Sequence, residues 1–325
     1  MYSLEEITES LKRDRATLVE NLNTQGIEAS EEETFTSLST KVADITSSYF
    51  ESVDVNTYTL SQKTIIHHIL KKIPMVDTSS ITSFRFAFEQ FNLEEIPLIN
   101  TSNGTDFCRF FYECKKLKRV PLLDTSKGTN FSGMFWGCEV LEEIPFIATN
   151  NGTDFSYMFN QCKQLNEIPL LNTSNGTTFS YMFSGCINLL EVPQIDTSKG
   201  MTFTNIFGSC VSLTSTPQLD MSSAIAINSM FWAMSNNNFT TVGTLVNLGM
   251  AYLTTQAANY SSYTLDLGNY YNLTHDSTLN VLNGLYDIAT KGCNPQKVRF
   301  HSRVMELLSE EEIAIGTNKG WNITT

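Results

Sequence analysis

The sequence predicts an α/β solenoid, a stack of parallel sheet with an N-terminal helical hairpin and an α/β C-terminal cap. Two observations carry that prediction. Cys114, Cys138, Cys162, Cys186 and Cys210 stand 24 residues apart, and so do Pro97, Pro121, Pro145, Pro169, Pro193 and Pro217, and Gly104, Gly128, Gly152, Gly176 and Gly200. A fixed period of this length marks units that cannot bury an apolar face alone and must stack on their neighbours. The chain is also 41% hydrophobic, enough for a continuous core, so its 325 residues count rungs rather than globular domains. The divisions follow: 1–47 a helical hairpin, 48–73 a linker and N-terminal cap, 74–237 the 24-residue repeats, and 238–325 irregular repeats with a C-terminal cap.

Phe179 to Ile195, FSYMFSGCINLLEVPQI, is the best-defined unit. Phe107, Phe131, Phe155, Phe179 and Phe203 share one position, and Phe111, Phe135, Phe159, Phe183 and Phe207 share another four residues on, with the cysteine three further. Spacings of three and four predict one face of a short helix or helical turn. The cysteines form one column without CxxC or paired histidines, which predicts small buried hydrophobes rather than a metal or redox site. The following L-x-x-I-P-x-L predicts a short strand paired in parallel with its equivalents. Proline cannot donate to such a ladder, so its missing N–H is expected at a bulge or strand start. N-T-S-N-G-T and D-T-S-K-G-T are turn chemistry. The Thr101, Thr125, Thr149, Thr173 and Thr197 column is expected to hydrogen-bond along the edge. Sequons such as Asn103-Gly-Thr recur with the turn and are read as unmodified.

At the front, Ser3 with Glu6 and Ser30 with Glu33 are capping-box pairs, and Gly26 marks a helix stop. Leu4, Ile7, Leu11, Leu18 and Leu22 make one apolar stripe, and Phe35, Leu38, Val42 and Ile45 a second. Two such helices bury little by themselves, so these residues are the candidate assembly surface: a homo-oligomer, a trimer among the options, or docking onto a larger particle. Packing back on the solenoid is the alternative. At the other end, strands are expected near Thr244–Leu248, Tyr263–Leu267 and Lys297–Phe300, and a helix over Asp276–Thr290. A Ser309/Glu312 capping box predicts a second helix ending near Gly320, with Trp321 sealing the last apolar layer.

The repeated M-F-x-x-C-x-x-L-x-x-I-P-x-L core, over roughly residues 74 to 232, resembles the BspA-like leucine-rich repeat of bacterial and phage surface proteins. That resemblance implies a leucine-rich-repeat-like, right-handed solenoid associated with adhesion and with protein or glycan binding, not with catalysis. Arg15 to Phe35 resembles helical pieces near the fronts of phage tail and fibre proteins, and Leu273 to Thr325 resembles the closing segment of such repeat proteins.

Net charge is −13, which argues against nucleic acid or an anionic membrane as partner. Charges from Glu5 onward and the lack of an apolar core predict no secretory leader, and no stretch is long enough to span a membrane. Glu95, Arg119, Glu143, Glu167 and Glu191 form the charged column of the repeat. Paired carboxylates on adjacent rungs are glycosidase chemistry, but a periodic column is not the local exception an active site requires. No phosphate loop, Ser-His-Asp set or zinc spacing is present, and adjacent His67 and His68 point different ways on any regular element. The expectation is therefore a protein without catalytic residues, metal or cofactor. Its candidate ligand-binding residues are Glu95, Lys118, Arg119, Glu142, Glu143, Asn166, Glu167 and Glu191. With the resemblance, these imply a virion protein, a tail fibre or appendage. Its N-terminal helices would join other virion structural proteins, and its solenoid would attach to a host surface protein or glycan. A bacterial surface adhesin or interaction module, and a structural virion decoration without a receptor, are the alternatives.

Overall fold

The computed structural model describes residues 30, 75–76, 78–91, 94–96, 98–234, 239–250, 264–291 and 295–325. The expected hairpin (apart from Ser30), the linker 48–73, His67, His68, Pro97 and Cys293 lie outside the described residues, and with them all eight candidate assembly residues from Leu4 to Val42.

Copies of the repeat lie one on the next. A ladder of parallel bridges runs Ser83–Asp106–Asn130–Asp154–Thr178–Thr202–Ala226, in steps of 24 residues after a first step of 23, just before the first phenylalanine of each rung and before Ile227 in the last. That phenylalanine stacks on its equivalents, with Phe107, Phe131, Phe155, Phe179 and Phe203 having centroids 5.4 to 5.8 Å apart. The second column, Phe111, Phe135, Phe159, Phe183, Phe207 and Phe231, stacks at 5.6 to 5.9 Å. These spacings follow from sheet pitch plus twist, and put near-parallel rings in offset contact. All these rings are buried in one apolar core that continues into the C-terminal region.

The segment between the phenylalanines is not the expected helical turn. Donors alternate: Phe107, Arg109, Phe111 and Glu113 give their N–H to carbonyls of the following rung (Asn130, Ser132, Met134, Trp136). Phe110, Tyr112 and Cys114 give theirs to the carbonyl three residues back. This is a chain of overlapping β-turns, and it requires left-handed backbone twice per rung. Arg109, Gly133, Tyr157, Tyr181 and Asn205 take φ between 52° and 61°, and Glu113, Gly137, Gln161, Gly185 and Ser209 between 54° and 78°. Turns repeating every four residues bring Phe107, Phe111 and Cys114 to one side as a helix would, so side-chain spacing alone does not separate the two.

The expected strands are also thinner than the pattern implies. Strands β1 (Met75–Val76) and β2 (Leu98–Ile99) pair at the front of the stack, and β3 (Leu219–Asp220) and β4 (Leu245–Val246) at its rear, all in parallel. Between them, rung-to-rung bonds survive only before the proline, as from Lys118 N–H to Glu94 O at 2.9 Å and Glu142 N–H to Lys118 O at 3.2 Å. Over 145–148, 169–172 and 193–196 no backbone hydrogen bond crosses between described rungs. A proline in each copy removes the donor and the ladder opens there.

Side chains take over where the ladder fails. Thr125, Thr149, Thr173 and Thr197 are buried, and each hydroxyl donates to the next rung's carbonyl at 2.8 to 2.9 Å. Cys138, Cys162, Cys186 and Cys210 donate Sγ–H to the carbonyls of Phe111, Phe135, Phe159 and Phe183 at 3.0 to 3.1 Å. Burial pushes the thiols up, Cys114 and Cys186 to about 12. A thiol held protonated and enclosed is a core side chain, not a nucleophile.

The C-terminal region uses ordinary elements. Strands β5 (Thr264–Leu267), β6 (Gln296–Phe300) and β7 (Trp321–Thr324) form a parallel sheet in that order. Helices α1 (His275–Gly284), α2 (Ser302–Met305) and α3 (Glu310–Asn318) lie between them. Helix α1 starts on a Thr274 cap and stops at Leu285, short of the Thr290 that the apolar spacing predicts. Helix α3 opens on the Ser309/Glu312 capping box, and buried Trp321 gives its indole N–H to Tyr286 O at 2.8 Å. Phe239 and Tyr270 extend the Phe231 column, and the Tyr270 hydroxyl donates to Phe231 O, which joins this region to the stack.

Candidate interaction face

Each rung shows solvent a strip consisting of the residues around its proline. The extended chain before proline turns two consecutive side chains outward, and all eight candidate residues, Glu95, Lys118, Arg119, Glu142, Glu143, Asn166, Glu167 and Glu191, are exposed on this strip. Lys118 Nζ meets Glu94 Oε2 at 3.0 Å, an exposed pair of small energetic weight. The others form an open ladder along the strip.

The structure does gather the residues just beyond the proline. Leu122, Phe146 and Leu170, one period apart, are 67%, 65% and 69% exposed. Their column continues as Gln194 and Gln218. Beside Phe146 and Leu170, where the backbone ladder is open, lies a cleft of about 670 Å³ whose lining also includes Asn172, Gln194, Asp196, Gln218 and Asp220. Gln194 Nε2 donates to Gln218 O at 2.7 Å, a side-chain bond crossing between rungs. Asp196 Oδ1 accepts from the backbone N–H and hydroxyl of Ser198 at 3.0 and 2.7 Å, and these donors hold its carboxyl below the usual range. Asp124 is likewise lowered by the hydroxyl and N–H of Ser126. Both side chains are charged acceptors at neutral pH with a second oxygen available.

None of the eight predicted residues lines this cleft. Sequence reasoning treated the position between proline and the buried leucine or isoleucine as a spacer. The usable signal was Leu122, Phe146 and Leu170 in succession at a position between the proline and the buried leucine or isoleucine. Water does not select three large apolar residues there, whereas a binding surface does.

A second, half-buried feature lies on the turn side. Arg109 sits 5.2 to 5.5 Å over the rings of Phe86, Tyr112 and Trp136, and Trp136, Tyr157 and Tyr181 stack at 4.7 Å. The ring faces are occupied by one another, so this column consolidates the turns rather than offering a flat platform. Among the described residues no group of three or more His, Cys, Asp or Glu is placed to hold a metal ion. No helix among them is long and apolar enough to cross a membrane.

Comparison with known proteins agrees with the repeat reading of the central stack. No curated protein and no solved structure matches the chain. Two overlapping segments, residues 60–167 and 142–242, match one family and together cover more than half of the sequence, consistent with the resemblance to BspA-like surface repeat proteins. The chain belongs to DUF285, a family described as Mycoplasma proteins of unknown function.

Proposed function

We propose that the protein is a non-catalytic attachment protein whose stacked rungs form a leucine-rich-repeat-like solenoid, carried on a phage virion as a tail fibre or appendage. The observation that carries the binding role is the row of exposed Leu122, Phe146 and Leu170 on consecutive rungs. Their backbones are fixed by the core, so a partner meets an ordered surface and little conformational freedom is lost on contact. Oligomerisation through the N-terminal segment multiplies weak contacts into avidity. The virion assignment rests on the resemblance of the repeats and of residues 15–35 to phage surface proteins. The host ligand is a surface protein or glycan.

The test is binding of the labelled full chain to intact host cells. Replacing Leu122, Phe146 and Leu170 together by serine weakens attachment about tenfold or more, as for residues at the centre of an interface. The far-ultraviolet circular dichroism stays unchanged because all three positions are exposed. Glu143→Lys with Glu167→Lys weakens it as well. Undiminished binding by both variants refutes the assigned face. Antibody labelling of purified particles tests the virion location.

A second reading, a bacterial surface adhesin or interaction module, is favoured by the family's description as Mycoplasma proteins. Labelling of bacterial cells in the absence of particles selects it.

A further inference from the structure

The cleft changes character along the stack. Phe146 and Leu170 stand exposed at one end with Ala148 and Asn172 two residues on, whereas the next two rungs carry Gln194 with Asp196 and Gln218 with Asp220. Ile147, Leu171 and Ile195 also line it although their side chains are buried in the core, so the main chain of these residues forms its floor. Among the described residues no hydrogen bond engages the N–H or C=O of Phe146, Ile147, Leu170 or Leu171. One rung on, a side chain closes the same gap: Gln194 Nε2 donates to Ile195 O at 3.0 Å and to Gln218 O at 2.7 Å. Phe146 and Leu170 hold that position in their own rungs and have no amide to give. Asp196 and Asp220 each use Oδ1 to accept from the serine two residues on, which leaves Oδ2 facing a ligand as an acceptor.

We infer that this cleft binds a neutral oligosaccharide. A hydroxyl both donates and accepts. One sugar chain therefore meets the N–H and C=O groups of the floor and the acceptor oxygens of Asp196 and Asp220, the last through charge-assisted bonds. The C–H face of a pyranose ring packs on the exposed Phe146 ring, which supplies the apolar contact that hydroxyls lack. A purely apolar ligand would bury the same polar groups unpaired. An extended peptide crossing the rungs is out of step with them, since its same-side groups recur at roughly 6.6 Å and the rungs at about 5 Å. A cationic segment finds carboxylates only at the Gln194 end, and beside Phe146 and Leu170 it meets Ala148 and Asn172. The volume of about 670 Å³ lies within the range of small-ligand clefts, about 300–1,000 Å³. The inference rests on the attachment reading for its choice of face, and it selects glycan over protein as the ligand.

Calorimetric titration of the full-length protein with chitohexaose, cellohexaose and maltohexaose tests it. At least one of them is expected to bind, with the same affinity at about 0.1 M and about 1 M salt because the ligand carries no charge. Phe146→Ser weakens that binding about tenfold, and so does Asp196→Ala with Asp220→Ala. The double variant keeps the fold, because Ala148 occupies the same position two rungs before Asp196. On host cells, periodate, which cleaves vicinal diols, is expected to abolish attachment of the labelled protein, and proteinase to leave it. Failure to bind all three sugars overturns the inference, and so does undiminished binding by either variant, or attachment that survives periodate and is lost to proteinase. If labelled protein still attaches to untreated cells in that event, only the glycan chemistry falls. If a sugar binds but cells are not attached, only the attachment role does.

Discussion

The stack from Thr78 to Met234 and the region from Phe239 to Thr325 solve the same problem differently. In the stack, stability is distributed: the thiols from Cys138 to Cys210, the threonine hydroxyls from Thr125 to Thr197 and every second turn N–H bond a neighbouring copy, although the buried Thr101 hydroxyl, expected in the same column, does not. The C-terminal region is assembled from single-use contacts. Arg299 binds Asp266 in two places at 2.8 and 2.7 Å, α3 has its own capping box, and Trp321 fills one site. Repetition places identical side chains at a constant pitch, which suits a binding strip, whereas an end needs specific closure.

That contrast predicts where damage spreads. Phe159→Ala removes a ring stacked on Phe135 and Phe183 and is expected to cost about 3–5 kcal/mol. Hydrogen exchange should show protection falling in the rungs on both sides, and loss confined to residues 155–165 contradicts a shared core. Gly176→Ala is next. A Cβ there comes within 2.4 Å of Phe179 Cζ, so a core ring must move, at about 1–3 kcal/mol in chemical denaturation. Ser309→Ala costs about 1 kcal/mol by loss of the α3 cap, with exchange altered in the C-terminal sheet and unchanged around Phe159. Ser209→Gly has the smallest effect and the opposite sign: relief of φ 58° raises stability by up to about 1 kcal/mol, read from the denaturation midpoint.

Acid separates the two regions further. For Asp266, desolvation raises the pKa, but the Arg299 guanidinium and Gly268 N–H outweigh it and the net shift is downward. A carboxyl with a depressed folded pKa contributes stability present above its unfolded value, near 4, and lost as pH falls through the folded one. Acid titration followed by β5 and β6 exchange should therefore open the C-terminal sheet, and Arg299→Met should shift that opening to higher pH. The thiol column has no corresponding carboxylate, and Cys138, Cys162 and Cys186 should resist a thiol reagent at pH 8 until denaturant is added.

The stacking of rungs was readable because the 24-residue columns record which side chains touch their own copies. Phe107, Cys114 and Leu117 are buried in every rung for that reason. Secondary structure was less readable. Phe107 and Phe111 at a spacing of four fit a helix and a chain of β-turns equally well, and only the backbone, with Arg109 and Glu113 left-handed, separates them. The proline column pointed to a missing donor but not to its consequence, an open ladder with a cleft beside it. For the interaction face, charge drew attention to Glu143 and Glu167, while the apolar residues at 122, 146 and 170 sat in a motif position read as variable.

Because every second N–H of the turn segment is given to the copy that follows, one period can be inserted or removed while the backbone of the remaining turn segments keeps the same kind of partner. Genetic exchange between neighbouring copies therefore changes reach in whole steps. A lineage can lengthen or shorten this molecule, and add or drop a residue of its outward column, without first rebuilding its interior.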